Sequence, residues 1–149
     1  MIIQLKSGDL FSSGDSLAHC ISEDCQMSKG IAACFKTLFG GQSEIIQQRA
    51  KPGGLAVLRR GNRFIFYLVT KKRYYNLPTY ENVERSLICL REFCTKHTVT
   101  NVAMPKIGCG LDKLQWGKVD AILKRVFKET DIAITVFVLI RSITQAGSS

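Results

Sequence analysis

The segment at residues 64–69, FIFYLV, restricts the fold more than any other part of the chain, because neither alternate set of its side chains is polar. A strand with apolar residues on both faces has to be covered on both sides, as in the centre of a sheet that lies between two helical layers. Short segments rich in branched or aromatic residues predict six strands in all. They are residues 2–5, 16–21, 55–58, 64–70, 99–104 and 132–140.

Apolar residues spaced three and four apart predict helices between these strands. One stripe consists of Val119, Ile122, Leu123, Val126 and Phe127, and another of Val83, Leu87, Leu90 and Cys94. Thr79 is placed to cap the helix over residues 79–97. A further helix is predicted over residues 30–39, with a stop at Gly40 and Gly41 and a restart through residue 48. Strands alternating with helices predict an α/β fold with a largely parallel sheet between helical layers.

The size of the chain predicts one domain, since 149 residues with 46% hydrophobic content suffice for one core. We expect the folded unit to cover residues 1–141 and the tail 142–149 to be disordered. The longest apolar run, residues 132–140, is about half of a membrane span, so it predicts a buried strand and no membrane segment. No signal peptide is predicted, and we expect a monomer in the nucleus or cytoplasm with reduced cysteines.

The charge balance favours anionic partners, because 21 lysines and arginines against 12 acidic residues give a net charge of +9. Nucleic acid, an anionic membrane and a phosphate-bearing ligand all fit this balance, as does a basic surface without a partner. Six cysteines are present, but they form no CxxC pair, and His19 and His97 lack zinc-finger spacing. We therefore predict no metal site.

Two predicted strands end in segments whose residues could bind or react with a ligand. Residues 64–70 run into Lys71, Lys72 and Arg73, and residues 99–104 run into PKIGCGLD at 105–112. Ligands collect at the carboxyl ends of strands in open α/β sheets. The glycines at 108 and 110 allow backbone N–H groups to approach a phosphate, although such pairs also form plain turns. Neither P-loop nor dinucleotide-fingerprint spacing is present, which disfavours a nucleoside-triphosphate enzyme.

Six ordered motifs carry a resemblance to a known family. They are GDLF at 8–11, LAHCISEDC at 17–25, GIA at 30–32, TKKR at 70–73, PTYEN at 78–82 and PKIGCGLD at 105–112. Together they resemble the macrodomain subfamily of terminal ADP-ribose protein glycohydrolases, also called O-acyl-ADP-ribose deacylases. The resemblance covers nearly the whole chain and implies a three-layer α/β/α macrodomain with a mixed, largely parallel central sheet.

The same resemblance implies a ligand site. Asp9 would accept a hydrogen bond from the adenine amino group, with Leu10 beside the base and Leu139 closing that side. The diphosphate and distal ribose would lie between two loops. The first loop contributes Ser22, Met27, Gly30, Ile31 and Ala32, and the second contributes Lys106, Ile107, Gly108, Cys109, Gly110 and Leu111. ADP-ribose and ADP-ribosylated proteins are the implied partners. From the basic charge, and not from the resemblance, we also expect weak binding of nucleic acid or poly-ADP-ribose.

Lys71 and Asp112 match the two catalytic positions of the subfamily. Lys71 would attack the anomeric carbon of the distal ribose at Glu/Asp ester linkages or in O-acyl-ADP-ribose, and Asp112 would handle the proton, with no cofactor. A lysine amine attacks carbon only when neutral, and at pH 7 an ordinary pKa near ~10.4 leaves about one amine in a thousand neutral. We expect burial and neighbouring cations to favour the neutral amine. By sequence alone Lys72 is an equal candidate, and strand parity places it on the opposite face.

Several features leave alternatives open. Family members usually carry small residues, typically Gly-Ala-Gly, where this chain has Ser28, Lys29 and Gly30. The Lys29 side chain either crowds the distal ribose or pairs with phosphate. Tyr74 and Tyr75 add bulk near the entrance. The alternative functions are an ADP-ribose reader that does not cut, a basic nucleic-acid-binding module, and a phosphatase acting on ADP-ribose phosphate.

Overall fold

The computed structural model describes residues 1–138 and contains one six-stranded sheet. The strands are β1 (Ile2–Ser7), β2 (Ser16–Ser22), β3 (Gly54–Arg60), β4 (Arg63–Lys71), β5 (Asn101–Met104) and β6 (Ala133–Val138). Their order across the sheet is β1-β6-β5-β2-β4-β3. Every neighbouring pair is parallel except β3 and β4, which are antiparallel. The prediction of a mixed, largely parallel sheet is therefore confirmed.

Four α-helices cover the two faces of the sheet. They are α1 (Gly30–Phe39), α2 (Gln42–Gln47), α3 (Tyr80–His97) and α4 (Trp116–Phe127), and a short 3-10 helix spans Leu10–Ser12. Phe66 and Leu68 of β4 belong to the core under α3 and α4, whereas Ile65 and Tyr67 belong to the core on the opposite face. The two apolar faces of this strand thus separate two cores, and the three-layer prediction is confirmed.

The predicted element boundaries differ from the observed ones where capping residues intervene. The Thr79 side chain accepts a hydrogen bond from the Asn82 amide at 3.1 Å, as predicted for a helix cap. At the other end of α3, Thr98 adopts a left-handed conformation with φ +57°. The Val99 amide, in the strand predicted over residues 99–104, still donates to the Cys94 carbonyl of α3 at 2.9 Å. Because the chain leaves the helix only after this bond, β5 begins at Asn101. The part of the predicted last strand beyond residue 138, and the tail at 142–149, lie outside the described residues.

The sheet topology brings the ends of several strands to one edge. β1, β6, β5, β2 and β4 run in the same direction, so their carboxyl ends meet there, and the loops after β2, β4 and β5 lie side by side. None of the helices formed by residues 1–138 is long and apolar enough to cross a membrane. The candidate site lies at this edge of the sheet.

Candidate active site

A cavity of about 630 Å³ opens at the carboxyl edge of the sheet. Its walls come from the end of β2, the loop between β2 and α1, the segment after β4 and the loop after β5. Most of the predicted site residues border it: Ser22, Met27, Gly30, Ile31, Ala32, Lys71, Lys106, Ile107, Gly108, Gly110, Leu111 and Asp112. The structure therefore brings together residues that are up to 90 positions apart in the chain.

An ion pair between Lys71 and Asp112 lies in this cavity. Lys71 Nζ is 2.5 Å from Asp112 Oδ1, and the two side chains are only 13% and 17% exposed. Lys71 is the last residue of β4, and the neighbouring Lys72 is exposed and does not border the cavity. The structure thus separates the two sequence candidates for a nucleophile, and Lys71 is the one that borders the cavity.

The charge beside the Lys71 amine differs from the sequence expectation. The expected neighbours Lys72 and Arg73 are exposed, and Lys106 Nζ lies 5.6 Å from the centre of the Trp116 ring. The charged group in contact with the amine is the Asp112 carboxylate. The available proton acceptor is therefore a carboxylate, and the expected effect of neighbouring cations stays a prediction.

The loop that carries Asp112 is held by its own backbone. The Leu114 amide donates to the Gly108 carbonyl at 2.7 Å, and the Lys113 amide donates to the Gly110 carbonyl at 3.1 Å. Gly108 has φ +72°, and a Cβ at this position would lie 2.7 Å from Leu114 Cδ1. Because a backbone with this φ favours glycine and an added Cβ would also displace the Leu114 side chain, the turn that positions Asp112 depends on Gly108.

The loop between β2 and α1 forms the opposite wall. Helix α1 begins at Gly30 beside the cavity, and no side-chain hydrogen bond caps its first N–H groups. Unpaired amides at a helix N-terminus suit a phosphate group. Lys29, at the cap position, also borders the cavity. This wall can therefore bind an anion next to the Lys71–Asp112 pair.

The segment after β4 is tied to this wall by Asp24, a residue that the sequence interpretation missed. Burial raises the pKa of the Asp24 carboxyl, but its partners together hold that pKa below the ordinary value. These partners are Ser22 Oγ, the amides of Tyr74 and Gln26, and the charge of Arg73. The signal that was available is the Ser22-x-Asp24 spacing, since short polar side chains two positions apart commonly bond to local backbone.

Comparisons with known proteins decide the family. No family model matches the chain. It is 54% identical over 134 residues to the human protein named ADP-ribose glycohydrolase OARD1, and the match covers 89% of this chain and 88% of that protein. The chain belongs to the OARD1 family of ADP-ribose glycohydrolases. The resemblance found in its motifs is thereby confirmed.

Solved structures agree on the fold of this OARD1-family protein. The macrodomain of Thermus aquaticus DarG superposes with a TM-score of 0.83 at 23% identity, covering 94% of this chain and 99% of that one. DarTG of Thermosipho africanus, solved in complex with ADP-ribose, gives a TM-score of 0.80 at 21% identity, covering 94% of this chain and 43% of that one. At these identities the similarity shows a macrodomain fold.

Three residues predicted to contact the ligand lie outside the cavity of this OARD1-family macrodomain. The Asp9 carboxylate accepts a hydrogen bond from the Phe11 amide at 3.0 Å, and Leu10 is buried. Both follow β1 on the same edge of the sheet, two strands away from β5. The Cys109 side chain donates to the Ile107 carbonyl at 3.3 Å. Leu139 is outside the described residues, and the adenine contacts of Asp9, Leu10 and Leu139 stay predictions.

Thiols and imidazoles near the cavity are poor nucleophiles or bases. Burial, followed by the Asp112 charge, raises the pKa of Cys20 to about 12, and burial also raises that of Cys109. Burial lowers the pKa of His19 to about 3, and the nearby Cys20 backbone offsets only part of this effect. His19 is stacked on Phe35 at 3.8 Å, and neither ring nitrogen has a hydrogen-bond partner. In this OARD1-family site, the Lys71–Asp112 pair is therefore the better candidate for chemistry at neutral pH.

Proposed function

We propose that this chain removes mono-ADP-ribose from Glu/Asp ester linkages on proteins and deacylates O-acyl-ADP-ribose, with Lys71 as nucleophile and Asp112 as proton acceptor. The observation that carries the proposal is the 2.5 Å contact between Lys71 Nζ and Asp112 Oδ1 inside the cavity. A relative named ADP-ribose glycohydrolase and a macrodomain solved with ADP-ribose support the ligand class.

The first step of the proposed reaction uses the ion pair directly. The Lys71 ammonium passes a proton to the Asp112 carboxylate across the 2.5 Å contact, which leaves a neutral amine. The amine forms a bond to C1 of the distal ribose. The bond between C1 and the ester oxygen breaks, and its electron pair departs with the carboxylate. A carboxylate is a good leaving group, so two side chains suffice without a metal ion.

The second step releases the sugar from the lysine. Asp112 loses its proton to solvent and then takes a proton from a water molecule. The water oxygen bonds to C1, and the bond between C1 and the Lys71 nitrogen breaks with its electron pair returning to the nitrogen. The amine recovers a proton from Asp112, which restores the ion pair. One ester and one water give one carboxylate, one ribose hydroxyl and one proton.

Lysine variants test this assignment. We expect Lys71→Ala and Lys71→Arg to lose cleavage of an ester-linked ADP-ribosylated protein and of O-acetyl-ADP-ribose, while ADP-ribose binding measured by calorimetry is retained. Lys72→Ala is the matched control, because its side chain is exposed outside the cavity, and we expect it to keep its turnover. Full activity of Lys71→Ala would reject Lys71 as the nucleophile.

The rival function as a nucleic-acid-binding module has less support, because some of the basic residues that suggested it make hydrogen bonds or ion pairs within the protein. Arg60 pairs with Glu44 and donates to the Phe39 carbonyl, and Arg63 donates to the carbonyls of Ser13 and Asp15. Salt-sensitive RNA or DNA binding that survives saturating ADP-ribose would favour that function through a separate surface.

A further inference from the structure

Three exposed side chains border the cavity immediately after Lys71 in the chain. Tyr74, Tyr75 and Leu77 are 51%, 69% and 63% exposed, and all three line the cavity. We call these three residues the apolar rim. Large apolar side chains grouped beside a cavity indicate a surface that binds an apolar group.

Hydrogen bonds hold the apolar rim in one conformation. The Tyr74 amide donates to Asp24 Oδ2 at 3.0 Å, and the Arg73 amide donates to Asn76 Oδ1 at 2.9 Å. The Asn76 amide returns a bond to the Arg73 carbonyl at 3.0 Å. The Tyr74 and Tyr75 rings pack edge to face with centroids 5.3 Å apart. Because these bonds fix the backbone of the segment, binding there costs less conformational entropy than binding to an unfixed loop.

The apolar rim borders the same cavity as Lys71 and Asp112. It begins three residues after Lys71, whose carbonyl accepts a bond from the Glu23 amide at 2.9 Å, and Asp24, the anchor of Tyr74, follows Glu23 directly. In the proposed reaction the diphosphate and the ribose occupy the two ligand loops. Because Lys71 attacks C1 of this ribose in the proposed reaction, an acyl group bonded to C1 lies in the same cavity that the apolar rim lines.

The dimensions of the apolar rim favour a small occupant. Its three side chains belong to a segment of only four residues, 74–77, whereas a stable protein interface buries about 800 Å² on each partner. We propose that the apolar rim binds the alkyl chain of O-acyl-ADP-ribose, so that the enzyme prefers esters of longer fatty acids to the acetyl ester. This inference rests on the proposed function, because it places the acyl group beside Lys71.

Chain-length dependence tests the inference. The probes are O-acetyl-ADP-ribose and O-hexanoyl-ADP-ribose, whose leaving carboxylates are of nearly equal basicity, so that the ratio of their kcat/KM values reports binding of the chain. Partial burial of four added methylenes predicts a hexanoyl-to-acetyl ratio of about 10.

In the double variant Tyr75→Ser, Leu77→Ser we expect the ratio to fall to about 1 to 2. Leu38→Ser is the matched control, because Leu38 is 57% exposed on α1 away from the cavity, and it should keep the wild-type ratio.

Each other result contradicts a specific part of the argument. A wild-type ratio of about 1, or a ratio that survives in the double variant, would overturn the alkyl-chain proposal and leave the proposed function standing. If the double variant lost cleavage of the ADP-ribosylated protein but kept the wild-type activity on both O-acyl esters, the alkyl-chain proposal would also be overturned. The apolar rim would then be assigned to binding of the protein substrate. Cleavage of neither ester would reject the deacylation part of the proposed function. In that case the calorimetric Kd values of the two esters decide the alkyl-chain proposal, since tighter hexanoyl binding supports it and equal binding overturns it.

Discussion

The Lys71 amine and the Asp112 carboxylate are in contact at 2.5 Å although they are 41 positions apart in the chain. Lys71 ends β4 and Asp112 follows β5, and β2 lies between these two strands in the sheet. The contact therefore spans β2 at its carboxyl end. A proton acceptor from one loop and an amine from a strand end are brought to one point by the parallel topology.

Asp112→Asn should separate binding from chemistry. The amide keeps the size of the carboxylate but cannot take the proton from Lys71, so we expect kcat to fall by about 10²- to 10⁴-fold. Binding of ADP-ribose should change by less than about threefold. Steady-state kinetics with O-acetyl-ADP-ribose and calorimetry with ADP-ribose measure the two quantities. A kcat within tenfold of wild type would show that another group accepts the proton.

Gly108→Ala should destabilise the loop that carries Asp112. The added Cβ would lie 2.7 Å from Leu114 Cδ1 and would force a side chain into φ +72°, so we expect the free energy of unfolding to fall by about 1 to 3 kcal/mol. Gly110→Ala is the matched control, because nothing lies within 4 Å of its Cβ position, and it should change stability by less than about 1 kcal/mol. Urea unfolding measures both variants. Equal stability of the two would contradict the role assigned to Gly108.

His19 should make the fold sensitive to acid. Its pKa falls from 6.5 to about 3 on burial, so between these values the unfolded chain binds a proton that the folded chain does not. The free energy of unfolding therefore rises with pH across this window. The contribution that comes from the neutral His19 side chain is lost as pH falls through the same window. At about 1.4 kcal/mol per pH unit, the loss from pH 6.5 to 4.5 reaches about 2 to 3 kcal/mol.

His19→Leu should remove most of that dependence, because leucine has no group to protonate. Urea unfolding at pH 7 and pH 4.5 measures the difference. His97→Leu is the control, since His97 is exposed at the end of α3, and it should keep the wild-type loss. An unchanged acid sensitivity in His19→Leu would place the responsible group elsewhere.

Lys29→Ala should weaken binding of ADP-ribose. Lys29 borders the cavity at the start of α1, where the uncapped N–H groups already favour an anion. We expect a loss of about fivefold in Kd at low salt and a smaller loss at high salt, because the contact is electrostatic. Lys36→Ala on the exposed part of α1 is the control. Tighter binding by Lys29→Ala would show that this side chain crowds the ligand instead.

Much of the architecture could be predicted from local patterns. The two apolar faces of residues 64–69 predicted a central strand, and Ile65 and Phe66 indeed lie in different cores. The stripe from Val119 to Phe127 predicted α4, and those residues are buried. The start of β5 was missed because Thr98 caps α3 with a left-handed backbone. A β-branched residue rarely adopts this conformation, so the residue type does not predict it.

Some features of the candidate site could likewise be predicted from the sequence, and others only from the tertiary structure. Hydrophobic periodicity and six short motifs determined the layered fold, the family and the glycine loop, because each of these is encoded by residues close together in the chain. Three features were decided by packing: the Lys71–Asp112 contact, the exposure of Lys72 and the anchoring of Tyr74 by Asp24. They join residues from separate loops, and which loops meet depends on the order and direction of strands in the sheet, which local sequence does not specify.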